Sequence, residues 1–84
     1  MTPAEALKLI QGYAAAGRVE LTLHARQRMR ERGARREDVL RAIAVATSAR
    51  ASDDRWRLDG ADTDGDALSV VCVLADGVVV VTVF

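Results

Sequence analysis

The stretch LSVVCVLADGVVVVTVF, residues 68–84, decides the fold. Leu68 to Leu74 and Val78 to Phe84 are two runs dense in valine, and β-branched side chains suit a pleated surface. Between them stands Ala75-Asp76-Gly77, whose Asp-Gly pair is a strong short-range hairpin signal. Both runs are apolar at alternate and intervening positions alike, which predicts strands in the centre of a sheet with helices as cover. Cys72 lies inside the first run and reads as an inert core thiol. It is the single cysteine, so a disulfide or a cysteine-based zinc site within one chain is excluded.

Upstream of the hairpin, residues 59–66 (DGADTDGD) form a turn-rich acidic loop. The loop is faintly like a calcium-binding loop but lacks the closing Glu and the flanking helices, so a solvated hairpin loop is expected. Short strands are expected near Ala49–Ser52 and Arg55–Leu58. Trp56, between Arg55 and Arg57, can stack on a nucleic-acid base, with packing against a helix as its plainer role.

The amino-terminal half reads as helical with one strand. Thr2, Pro3 and Glu5 form a helix start with a capping box, and Leu7, Ile10 and Ala14 recur at helical spacing up to Gly17, predicting a helix over 3–16. Arg18 to Leu23 alternates polar and apolar, the period of a half-buried strand. The period changes at His24. A second helix is predicted over 24–32, capped by Thr22 or a neighbour and ended by Gly33. A third begins with Glu37-Asp38, buries Val39, Leu40, Ile43 and Ala46 or Ala44, and ends at Thr47-Ser48. The order is helix, strand, helix, helix, β-meander: one α+β domain over 1–84, a sheet with helices on one side.

Half of the 84 residues are hydrophobic, which fits a globular domain rather than a disordered chain. The formal charge of zero conceals a division. From Arg18 to Arg50, nine arginines face four acidic residues, a net of +5. From Asp53 to Asp66, six aspartates face two arginines, a net of −4. Eleven of the twelve basic residues are arginine, whose planar fork binds phosphate bidentately. No secretory leader pattern opens the chain and no apolar run reaches membrane-spanning length, so a cytoplasmic, bacterial-type protein is expected.

The segment from His24 to Arg32, HARQRMRER, is where chemistry is expected. On a helix His24, Arg28 and Arg32 stand at i, i+4 and i+8 and share one stripe, while Arg26 and Arg30 point elsewhere. Metal-independent cleavage of RNA needs a base for the 2′-OH, an acid for the leaving 5′-oxygen, and cations for the phosphorane. His24 can serve either proton transfer because imidazole changes charge near neutral pH. Arg28 and Arg32 supply cations, and Thr82 adds a hydroxyl if the final strand lies beside the helix. No metal or other cofactor is expected. The plain alternatives are a capping histidine and a solvated arginine face.

The motif His24-Ala25, Arg28-Met29, Arg32-Gly33 and Asp38-Val39, followed by a meander ending Val80-Val81-Thr82-Val83, resembles the domain-of-unknown-function 4258 family over about residues 19–84. Ala34 stands where that family prefers Ile or Val. The family in turn resembles the small RelE-like, BrnT-like and MqsR-like toxins. That resemblance implies an mRNA-interferase-like endoribonuclease, neutralised by an antitoxin of zinc-finger or helix-turn-helix type. It implies a site at His24, Arg28 and Arg32, with Thr82 as an addition. Arg26, Arg30, Arg35, Arg36 and Trp56 would then bind RNA. The alternative reading is a non-catalytic module whose arginine-rich helix docks protein or nucleic acid, with the final strand as a free edge for another chain.

Overall fold

The computed structural model describes all 84 residues. Helix α1 spans Pro3–Ala15, strand β1 Val19–Leu21, α2 Leu23–Arg32 and α3 Arg36–Val45. Strands β2 (Ala49–Ser52), β3 (Arg55–Ala61), β4 (Ala67–Ala75) and β5 (Gly77–Val83) follow. The sheet order is β1-β5-β4-β3-β2, antiparallel throughout except for the β1–β5 pair, which is parallel. The α+β architecture is as expected, and β4 and β5 hold the central places that their valine density predicts. The final strand is not a free edge, because β1 docks on its far side.

Each boundary has a local cause. Thr2 caps α1, accepting from the Glu5 N–H at 3.1 Å while Glu5 accepts from the Thr2 N–H at 2.9 Å. Strand β1 stops at Leu21, shorter than the alternation suggested, because Thr22 serves as the cap of α2. Leu23 is therefore the first helical residue, and it lies 80% exposed. Gly33 ends α2 in the left-handed conformation, φ 69°, which a side chain disfavours. The acidic loop is shorter than expected, since β3 continues through Asp59, Gly60 and Ala61.

All three helices cover one face of the sheet. Helix α3 crosses β3 and β4, α1 packs on α3 and reaches β2 and β5, and α2 lies on β5 and β1. The core between them holds Ile10, Val39, Ile43, Leu58, Leu68, Val70, Val78, Val80 and Val83, joined by Ala25 and Met29 of α2. Helix α3 sits so close that a Cβ at Gly60 would collide with the Ala42 carbonyl. Cys72 is buried here, and burial pushes its thiol up to about 12, as an inert core thiol requires. The other face carries no helix: Val71, Val73, Val79 and Val81 are only half-buried and make no part of the core. Cover on a single face is as the element order implies, although both valine strands are apolar on both sides. No helix is long and apolar enough to cross a membrane.

Candidate functional site on the arginine-rich helix

Helix α2 is fixed at its start. The Thr22 hydroxyl accepts from the Ala25 N–H at 3.0 Å and donates to the Val81 carbonyl at 3.2 Å. The Thr22 N–H donates to the Val80 carbonyl at 3.1 Å. One residue thus caps the helix and pins it to β5. Ala25 and Met29 turn inward, and the remaining side chains of the helix line its flanks and outer surface.

His24, Arg28 and Arg32 occupy one flank beside the buried pair. His24 and Arg32 are exposed and Arg28 is half-buried. Successive members are one turn apart, about 6 Å along the axis. They share the flank without touching: Arg28 pairs with Glu31 at 3.3 Å, and Arg32 donates to the Ala67 carbonyl at 2.8 Å. Both contacts are solvent-exposed and weak enough to yield to a phosphate. Arg26 and Arg30 project into solvent on the outer surface, and Arg35 and Arg36 extend the basic field to the start of α3. Arg35 is partly compensated by Glu37 at 3.2 Å.

Two expected participants lie elsewhere. Thr82 is paired with Val71, which places it on the uncovered face, across the sheet from α2. Trp56 is paired with buried Cys72 and packs against the core, on the face of the sheet that the helices cover. The cavities also lie elsewhere. One of about 480 Å³ is lined by Arg18, Glu20 and Asp76 near the β4–β5 turn. One of about 630 Å³ runs along α1 beside Leu9 and Tyr13. The third, about 220 Å³, lies between Arg50 and Arg57. The flank of α2 is an open surface.

One motif residue has a role that the sequence reading missed. Asp38 is 6% exposed. One carboxylate oxygen accepts from the Arg35 N–H at 2.8 Å, and the other accepts from the Thr63 N–H at 3.1 Å and its hydroxyl at 2.6 Å. The Thr63 hydroxyl, followed by the two backbone N–H groups, holds the carboxyl down to about 2. Asp38 therefore ties the start of α3 to the β3–β4 loop. The signal was its position in the first turn of a helix, where a carboxylate caps. In the acidic loop, Asp62, Asp64 and Asp66 bring carboxylates within 4.8 Å of one another. Asp62 spends an oxygen on the N–H groups of Asp64 and Asp66, the bonding of a self-capped turn.

No curated protein and no solved structure matches the chain. The family model described as "Domain of unknown function (DUF4258)" matches residues 21–84, from the last residue of β1 to Phe84, just past β5. That stretch takes in the pinned start of α2, its arginine flank, the Asp38 clamp and the whole meander, and the chain belongs to the DUF4258 family.

Proposed function

We propose that this domain is a toxin-like, metal-independent endoribonuclease of a toxin–antitoxin pair, acting through the exposed flank of α2. The observation that carries the reading is the placement of His24 on the same flank as Arg28 and Arg32, at the end of α2 that Thr22 pins to β5. The 2′-oxygen attacks the adjacent phosphorus as its proton leaves, the P–O5′ bond breaks, and a 2′,3′-cyclic phosphate forms. His24 performs one of the two proton transfers, with water completing the other. Arg28 and Arg32 release Glu31 and the Ala67 carbonyl and bind the phosphorane oxygens. Arg26, Arg30, Arg35 and Arg36 steer the RNA backbone, as a run with a net charge of +5 favours. Thr82 and Trp56 take no part. The partner is an antitoxin of zinc-finger or helix-turn-helix type, as the toxin resemblance implies.

Expression of the wild-type chain alone is expected to arrest growth, with RNA cleavage that persists in a metal chelator. His24→Ala is expected to relieve the arrest while the protein stays folded, and co-expression of the antitoxin to relieve it in the wild type. Absence of arrest and of cleavage by the wild type would end this reading. One observation favours a second reading: the flank is an open surface rather than a cleft. A module that only binds would show retained RNA affinity in His24→Ala, lost affinity in Arg28→Glu with Arg32→Glu, and no cleavage from any form.

A further inference from the structure

The uncovered face of the sheet has a defined composition. On an antiparallel sheet the solvent-facing side is ordinarily polar. Here its centre is valine. Val73 and Val79 are paired on β4 and β5, and both are half-buried without joining the core. Val79 is paired in turn with Glu20 on β1, which is exposed and forms no ion pair within the chain. The register that pairs Trp56 with Cys72 sets Arg55, the first residue of β3, beside Val73; it is exposed, with Asp54 at 4.0 Å and Ser52 of β2 beyond it. The row thus runs acid, valine, valine, base, with a serine on the edge strand beyond.

Such a row is complementary to itself when turned about. A two-fold axis parallel to the strands, passing between β4 and β5, would lay Val79 of one copy over Val73 of the other. It would also bring Glu20 of each copy over Arg55 of its mate. Strands lie about 4.8 Å apart and stacked sheets about 10 Å apart, so valine against valine fills the gap and the charged ends meet at the rim. An isologous contact of this kind repeats each pair twice. We infer that the domain forms a face-to-face dimer with a second copy of this chain, closed over the Val73–Val79 face with Glu20–Arg55 pairs at both rims. The helix layer, with α2 and its arginine flank, lies on the far side and stays free. The inference does not rest on the RNA reading.

The test is sedimentation equilibrium of the whole 84-residue chain across the micromolar to millimolar range. A dimer is expected, lost in Val79→Lys, with circular dichroism confirming the fold. Val79→Thr keeps the strand propensity and is expected to weaken the dimer even if the lysine variant unfolds. Glu20→Arg and Arg55→Glu are each expected to raise the dissociation constant several-fold, and the two together to restore it. A wild-type chain that stays monomeric overturns the inference, including one that instead captures an acidic protein on this face. So does a dimer indifferent to Val79→Thr or unrestored by the charge swap, which places the contact elsewhere.

Discussion

Helices α2 and α3 are each ten residues long and adjacent in the chain, yet they use their side chains in opposite ways. Helix α3 buries Asp38, Val39, Ala42 and Ile43 and lies directly on β3 at Gly60. Helix α2 buries only Ala25 and Met29 and turns four arginines and a histidine outward or to its flank. The difference separates what holds the domain together from what it displays. A charged residue in α3 has been made structural by burial and full hydrogen bonding, whereas the charges of α2 lie at the surface in weak contacts at most. Stability should therefore respond to α3 and its partners, and activity to α2.

The largest effect on stability is expected from Gly60→Ala. The added methyl meets backbone rather than a movable side chain, so α3 must lift from β3, at a cost of about 3 kcal/mol, read as a lower urea midpoint. If the midpoint barely moves, the tight seating of α3 is wrong. Next comes Asp38→Asn, since both carboxylate oxygens accept and an amide turns a donor toward either Arg35 or Thr63. Its pH profile sharpens the comparison. The folded carboxyl sits at about 2 against an ordinary 3.8, so the clamp's contribution is complete above about 4 and is lost as pH falls through 2. Asp38→Asn should remove that part of the acid sensitivity, leaving what Asp59 and Glu5 contribute, since both are also lowered. An unchanged acid-unfolding profile would contradict the clamp.

Thr22→Ala removes a cap and the link to Val81, and is expected to cost about 1 kcal/mol in thermal or urea unfolding. It should also lower activity, because the start of α2 loses its anchor while Arg28 and Arg32 keep theirs. The smallest effect on stability is expected from His24→Ala, within roughly 0.5 kcal/mol, as for other exposed substitutions. The same change should cost cleavage about a hundredfold or more if His24 moves a proton. A large loss of stability in His24→Ala would move the histidine into the structural class and collapse the contrast between the two helices.

Most of the element order was legible because it depends on local patterns. The Thr2 capping box, the change of period at His24, Gly33 and the Asp76-Gly77 turn are all short-range signals that survived folding. Strand β1 was read too long because Thr22 belongs equally to an alternating pattern and to a cap, and only its bond to Val81 settles which. The acidic loop was read too long because Asp59 and Gly60 look like turn residues. In the sheet, Asp59 instead accepts from Arg50, Arg57 and Ser69, and Gly60 makes room for α3.

The sequence by itself determined the class of the fold, the central place of the valine strands, the stripe formed by His24, Arg28 and Arg32, and the inertness of Cys72. These follow from periodicity and composition, which the chain carries residue by residue. Only the tertiary structure decided that β1 runs parallel to β5, that Thr82 and Trp56 stand apart from the stripe, and that Asp38 is a clamp. Each of those facts joins residues distant in the chain, and which distant groups meet is set by the packing of the whole domain rather than by local pattern.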